Sequence, residues 1–203
     1  MKTIKKIKRS ARAGFTLIEL LVVTAIIVII STVILANNSK FGGRVLLENF
    51  AYDLALTLRQ TQVYGIAVSR FGTNTFTAGY GMHFDITSSN NAKQYTLFAD
   101  ATTANGLYDA PSELVSTFLI TRGYSITKLC ATPTAGTENC TYTTLDVLFQ
   151  RPEPDAMISP GGASCIITNS NCQASARIQL VSPRGDTMSV TVQANGQIAV
   201  QTS

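Results

Sequence analysis

The sequence has little of what catalytic or metal-binding proteins usually show. Its 203 residues include a single histidine, His83, and they contain neither a C-x-x-C pair nor a G-x-S-x-G motif. A nucleophile needs a base held beside it, and zinc needs four nitrogen or sulfur ligands close together. We therefore predict that the protein is not an enzyme and carries no metal or other cofactor. His83 is expected at the surface or on an edge strand.

Acidic residues are missing from positions 1–14, which hold six basic residues: Lys2, Lys5, Lys6, Lys8, Arg9 and Arg12. The remaining chain has ten basic and twelve acidic residues, a net charge of −2. Beyond Ala36 the basic residues are scattered along the sequence. Non-specific nucleic-acid binding relies on aligned lysines and arginines that replace phosphate counterions. The sequence therefore gives nucleic-acid binding no visible support.

One long apolar run, Leu17–Ala36, is interrupted only by Glu19, Thr24, Ser31 and Thr32. A helix of this length spans about 30 Å, one hydrocarbon thickness. The basic cluster before it predicts a single-pass anchor in the cytoplasmic membrane, with the N-terminus inside and the C-terminal part outside. A cleavable secretory signal is the competing interpretation, but the run is too long for one and no A-x-A-like site follows it.

Four cysteines, all in the part predicted to be exported, indicate disulfides. Three pairings are possible. We favour Cys130–Cys140 and Cys165–Cys172, because each pair brackets a short polar stretch typical of a loop between strands.

The segment after the apolar run is amphipathic. Its apolar residues recur at the spacing of one helical face: Leu47, Phe50, Ala51, Leu54, Ala55 and Leu58. This pattern predicts one long helix over residues 15–69, apolar in its first half and one-sided in its second. Gly42–Gly43 is its weakest point, either a loop between two helices or a segment that melts or stretches.

From Phe71 onward, short alternating runs predict antiparallel strands. GYGMHFDI and KQYTLFAD read as a hairpin, followed by strands at Leu114–Ile120, Tyr124–Cys130 and Tyr142–Phe149. RPEPDAMISP predicts an edge strand or an ordered crossing loop because of its prolines. ARIQLVS, TMSVTVQ and IAVQT form a C-terminal meander whose apolar side should face the second half of the helix. The predicted fold class is therefore α+β.

A loop with acids at both ends, from Asp100 through Asn105 to Asp109, is a weak calcium candidate. Calcium takes six to eight oxygen ligands, and the inner positions here are mainly alanine and threonine. A solvated loop without a metal is the preferred interpretation.

The stretch GFTLIELLVVTAIIVII behind a basic leader resembles the N-terminus of type IV pilins and pseudopilins. The resemblance implies cleavage by a prepilin peptidase between Gly14 and Phe15, and N-methylation of Phe15. It also implies a pilin-like fold, an inner-membrane assembly platform as a partner, and other pilin or pseudopilin subunits bound through the N-terminal helix.

Glu19 would be the fifth residue of the cleaved chain. A carboxylate in hydrocarbon is costly, so we expect it to pair with the Phe15 amine of a neighbouring subunit during assembly. The simpler alternative is that Glu19 reaches the nearby membrane interface by itself.

The resemblance divides the chain into a removed leader (1–14), a membrane and filament-core segment (15–36), an amphipathic segment (37–70) and an extracytoplasmic β domain (71–203). The β region most resembles H-type minor pseudopilins and FimT-like minor pilins. The implied function is a structural subunit, minor rather than major, of a type IV pilus or a type II secretion pseudopilus. A DNA-binding minor pilin and an anchored domain that is never processed are the alternatives.

Overall fold

The computed structural model describes residues 14–67, 70–72, 78–166 and 172–202, without the side chains of residues 36–41. The predicted leader, apart from Gly14, lies outside these residues. The chain divides into two compact units, residues 1–42 and residues 43–203. One helix, α1, covers Leu17–Ile66 and is helical at both Gly42 and Gly43. The interpretation of these glycines as a loop between two helices is therefore wrong.

Within the part of the chain that the structure describes, ten strands follow α1. They are β1 Gly79–Asp85, β2 Gln94–Asp100, β3 Leu114–Leu119, β4 Ser125–Pro133, β5 Asn139–Tyr142, β6 Thr144–Phe149, β7 Ala156–Pro160, β8 Gln173–Val181, β9 Thr187–Gln193 and β10 Ile198–Thr202. A short 3-10 helix, Asn91–Lys93, precedes β2. All strand pairs are antiparallel.

The strands form two five-stranded sheets. The first has the order β3-β2-β1-β6-β7, and the second has the order β10-β9-β8-β4-β5. The predicted hairpin is the β1–β2 pair, and the predicted meander is β8–β9–β10. The proline-punctuated segment supplies β7 at one edge of the first sheet. The α+β, pilin-like fold class is confirmed.

The predicted strand Tyr142–Phe149 is wrong in one respect, because the structure divides this run at Thr143. Tyr142 ends β5 in the second sheet, and Thr144 begins β6 in the first. The chain thus passes from one sheet to the other within two residues. A continuous run of strand-forming residues does not reveal such a change, since β propensity describes a residue's fit to a pleated surface and not which sheet it joins.

The main core combines one face of α1 with one face of each sheet. The helix contributes a buried stripe consisting of Leu47, Ala51, Leu54, Ala55 and Leu58. Residues of the C-terminal meander, including Ile178, Leu180, Met188, Val190, Val192 and Ile198, belong to the same cluster, with Val200 packed against it. The predicted apolar side of the meander therefore does pack with the second half of the helix.

The other face of the first sheet is covered by loops. Phe98, Leu148, Met157 and Cys165 form a second, smaller core there, with Tyr108 packed against it. The sheet therefore buries apolar residues on both faces, and β2 and β6 are buried at nearly every position instead of at alternate ones.

Candidate functional site

The start of α1 is built from three residues that precede the helix and the first turn that follows. Gly14, Phe15 and Thr16 are not helical, and α1 begins at Leu17. The Thr16 hydroxyl accepts a hydrogen bond from the backbone N–H of Glu19 at 3.3 Å, and the Thr16 carbonyl accepts one from Leu20 N–H at 3.2 Å. Thr16 is therefore the N-cap of the helix.

Thr16 and Glu19 have the threonine-x-x-glutamate spacing of a capping box. An acid in the first turn is also favourable because it faces the positive end of the helix dipole. The sequence predicted pairing of Glu19 with a neighbouring Phe15 amine, or its reach to the membrane interface, but this local role was not predicted. The threonine-x-x-glutamate pattern was the signal that would have identified it.

The Gly14–Phe15 peptide bond lies in this non-helical backbone, directly before the cap. No atom outside its immediate neighbours lies within 4 Å of the Cβ position of Gly14, and the Phe15 side chain is 86% exposed. A peptidase needs access to the backbone on both sides of the bond it cleaves. The described residues leave that access open.

The segment Leu17–Leu35 has the length and composition of a membrane span. Its mean hydropathy is 2.8, and none of it is buried inside the protein. Two of its hydroxyls bind the helix's own backbone: Thr24 donates to the Leu21 carbonyl at 3.0 Å, and Thr32 donates to the Val28 carbonyl at 2.5 Å. These bonds lower the cost of placing hydroxyl groups in hydrocarbon.

Glu19 is exposed and has no ion-pair partner among the described residues. Its neighbours Ile18 and Leu20 are more than 60% exposed. The carboxylate therefore lies on an apolar helix surface, where it would be costly in hydrocarbon without a partner.

The expected position of His83 is wrong. His83 is on β1, the central strand of the first sheet, and its Nδ1 lies 2.7 Å from Oδ1 of Asp146 on the neighbouring β6. Burial raises the pKa of the Asp146 carboxyl, while the hydrogen bond with His83 opposes that rise. Sequence could not show this pair, since 63 residues separate its members.

His83, one member of this pair, borders a surface cleft. The His83 ring packs against Tyr108 and lines a cleft of about 200 Å³ with Asp85, Tyr95 and Thr96. Asp85 uses its carboxylate to accept hydrogen bonds from Thr87 and Asn91 of the adjoining loop. No serine or cysteine lines this cleft, so the arrangement offers no activated nucleophile of either type.

The calcium candidate loop uses its oxygens internally. Asp100 accepts hydrogen bonds from the backbone N–H groups of Asn105 at 3.2 Å and Gly106 at 3.0 Å, and Asn105 donates its side-chain amide to Asp109 at 3.2 Å. Glu113, which is fully buried, accepts from the N–H of Asp109 and of Thr102. The carboxylates of Asp100 and Glu113 thus hold the loop by accepting hydrogen bonds from its backbone N–H groups. The sequence did not reveal the part played by Glu113.

Both expected disulfides are present, Cys130–Cys140 and Cys165–Cys172. The first joins β4 to β5, and in the second Cys165 belongs to the small core while Cys172 packs against it. Glu138 lies beside the first pair, but Arg177 binds its carboxylate at 2.8 Å and lowers its pKa. Two disulfide-bonded sulfurs offer no thiolate, so this group is not a metal site.

These features define a pilin-like α+β protein: a capped apolar helix with a glutamate in its first turn, and a two-sheet domain built on an amphipathic helix. Residues 9–35 match the family model of the prokaryotic N-terminal methylation motif. The match supports a type IV pilin-like prepilin signal at the residues just described. No curated protein and no solved structure gives a significant match to the chain.

Proposed function

We propose that the protein is a minor subunit of a type IV pilus or of a type II secretion pseudopilus, of the H-type pseudopilin or FimT-like kind. It enters the assembly after cleavage between Gly14 and Phe15 and N-methylation of Phe15. The observation that carries the proposal is the Thr16-capped helix start. The accessible Gly14–Phe15 bond directly precedes this start, and Glu19, which has no ion-pair partner among the described residues, lies in the first turn of an unburied 19-residue segment, Leu17–Leu35.

The proposed topology places residues 1–14 in the cytoplasm and the two-sheet domain outside. The basic residues before the apolar segment support this orientation through the positive-inside rule. The two disulfides support it as well, since disulfides persist in oxidising compartments. The proposed partners are the prepilin peptidase, the membrane, an inner-membrane assembly platform and other pilin or pseudopilin subunits.

Assembly follows from the position of Glu19. After cleavage, Phe15 carries a charged amine four residues before this carboxylate. In a bundle of apolar helices, the amine of one subunit pairs with Glu19 of its neighbour, because an unpaired carboxylate is strongly disfavoured there. The pairing sets the axial position of each subunit. The proposed role is structural and includes no catalysis.

The first experiment is intact-mass and N-terminal peptide analysis of the protein from its own cells, with wild type beside Gly14→Ala. We expect a wild-type N-terminus at Phe15 with one added methyl group, and loss of this species in Gly14→Ala. Gly42→Ala is the matched control, because it makes the same substitution within α1, 28 residues after the cleavage position. An uncleaved N-terminus in the wild type would overturn the proposal in favour of an unprocessed anchor.

The minor role needs a separate measurement. Filaments sheared from the cells should contain this subunit in small amounts relative to another pilin or pseudopilin, by quantitative peptide analysis. An excess of this subunit would indicate a major pilin. The alternative of DNA capture predicts that the purified full chain retards duplex DNA at physiological salt, and the structural proposal predicts that it does not.

A further inference from the structure

A row of polar side chains crosses the first sheet on the face that also carries the small core. Each member is the register partner of the next, with one on each strand of the sheet: Thr117, Thr96, His83, Asp146 and Ser159. Side chains at paired positions of antiparallel strands lie on the same face, with Cβ atoms about 5 Å apart. Phe98 of the small core follows Thr96 by two positions and therefore shares its face. We call these five residues the polar row.

One end of the polar row lines the surface cleft of about 200 Å³ beside His83. The members there are His83, Thr96 and Thr117, from three adjacent strands. The connection between β1 and β2 adds Asn91 to the lining, and the connection between β2 and β3 adds Tyr108. Hydroxyl, amide and imidazole groups therefore meet in one cleft, next to an aromatic ring. The strands and connections that supply them are separate in the sequence, so only the fold reveals this grouping.

Two groups of the polar row face this cleft without a partner of their own. Thr96 is only 7% exposed, and its hydroxyl has no hydrogen-bond partner among the described residues. His83 uses Nδ1 for its 2.7 Å bond with Asp146, which leaves Nε2 without a partner in the same part of the chain. Unpaired polar groups at a largely buried position cost free energy, and a ligand that bonds them removes that cost. The cleft therefore favours a ligand that both donates and accepts hydrogen bonds.

The rim of the cleft is held in place by hydrogen bonds within the protein. Asp85, which also lines the cleft, accepts from the backbone N–H of Thr87 at 2.7 Å and from the side-chain amide of Asn91. On the other side, the Tyr108 ring packs against the His83 ring with centroids 5.1 Å apart. These side chains are therefore ordered before a ligand arrives, which lowers the entropic cost of binding.

We infer that the cleft binds a neutral sugar as a single pyranose ring. A pyranose carries several hydroxyls that both donate and accept, which matches the hydroxyls of Thr96 and Thr117 and the free nitrogen of His83. Its C–H groups form an apolar surface, and Tyr108 supplies an aromatic ring for that surface to pack on. The volume of about 200 Å³ is below the roughly 300 Å³ at which sites for drug-sized molecules begin, so it suits one ring.

A neutral sugar fits the cleft better than an ion does. No lysine or arginine is among the described residues that line it, and the carboxylate of Asp85 would repel an anion. A metal ion needs about four ligands, whereas the only imidazole and carboxylate in the lining are those of His83 and Asp85. An apolar ligand would leave the polar groups unpaired. Sugar binding requires neither cleavage at Gly14–Phe15 nor assembly, so its failure would leave the proposed function unaffected.

The test uses the NMR signal of His83, which is the only histidine in the sequence and so reports on this cleft alone. The untagged full chain, with isotopically labelled histidine, is placed in phosphatidylcholine nanodiscs, because glycoside detergents would compete. It is titrated with the methyl glycosides of glucose, galactose, mannose and N-acetylglucosamine. We expect at least one of them to shift the signal saturably, with a dissociation constant on the order of millimolar. Sorbitol, which has the hydroxyls but no pyranose ring, should not.

Matched variants identify the hydroxyls that bind. T96V should weaken binding about fivefold by removing one hydrogen bond, and T117V, on the exposed edge strand β3, should act similarly. T191V is the control: it removes a buried hydroxyl without a partner from β9 of the second sheet and should keep the wild-type affinity.

Four results would overturn the inference. They are no saturable shift with any of the four glycosides, an equal shift with sorbitol, wild-type affinity in both T96V and T117V, and a shift produced only by zinc or inorganic phosphate.

Discussion

Gly65, near the C-terminal end of α1, touches the backbone of Phe149 at the end of β6. A Cβ atom on Gly65 would lie 2.3 Å from the Phe149 carbonyl oxygen and 2.7 Å from its carbonyl carbon. The contact is with main chain of the sheet, which no rotamer change relieves. This glycine therefore sets how closely the helix approaches the first sheet.

Gly65→Ala should destabilise the domain, because either the helix or β6 must move to admit the methyl group. We expect a loss of about 1–3 kcal/mol in the free energy of unfolding, measured with urea on the solubilised full chain. Gly43→Ala is the control, since its nearest contact is an ordinary 3.9 Å. It should gain up to about 1 kcal/mol from helix propensity. Equal effects of both substitutions would contradict the close approach at Gly65.

Glu19→Gln should leave the cleavage at Gly14–Phe15 intact but reduce incorporation into filaments. The amide cannot form a charged pair with the amine of a neighbouring Phe15, while it still fits the first turn of α1. The measurement compares processed protein in the membrane with protein in sheared filaments. Glu48→Gln, an exposed acid further along the same helix, should assemble like wild type. Normal filament incorporation of Glu19→Gln would contradict the pairing with Phe15. It would favour the alternative in which Glu19 reaches the membrane interface by itself.

Asp100 should make the stability of the domain depend on pH. Burial raises the pKa of its carboxyl to about 6, against the opposing hydrogen bonds from Gly106 and Asn105. The folded state therefore holds this proton more tightly than the unfolded state. The protonated form favours folding, and this contribution is lost as pH rises from about 4 through 6, by at most about 3 kcal/mol.

Asp100→Asn removes this titration. Between pH 4.5 and pH 7, the variant should therefore lose less unfolding free energy than the wild type. Urea unfolding at a series of pH values measures it. Asp155→Asn, an exposed acid, should leave the pH dependence as in wild type. A pH profile of Asp100→Asn that coincides with wild type would contradict the assignment.

His83→Ala should cost about 1.5–3 kcal/mol at pH 7, because it removes the side chain hydrogen-bonded to buried Asp146. If the lost stability comes from this pair, His83→Ala should cost less in an Asp146→Asn background. There the buried side chain left without its partner is a neutral amide. A double-mutant cycle in urea measures the coupling. Additive effects would mean that the two side chains contribute independently.

Most secondary structure could be predicted from sequence, for local reasons. The 3.6-residue period gave the buried stripe from Leu47 to Leu58, and turn residues such as Asn195-Gly196 gave the C-terminal meander. The break between β5 and β6 could not be predicted, because it depends on which sheet each strand joins, and β propensity does not report that. The order of strands within each sheet was equally hidden.

The sequence by itself determined the features that depend on neighbours along the chain: the apolar segment, the threonine-x-x-glutamate spacing at its start and the position of Glu19. Tertiary structure alone decided which distant groups meet, namely His83 with Asp146 and the Tyr124 hydroxyl with the Gly43 carbonyl. The physical reason is that hydrogen bonds and charges act over a few ångströms in space. Separations of 63 residues or more become short only after the sheets have formed.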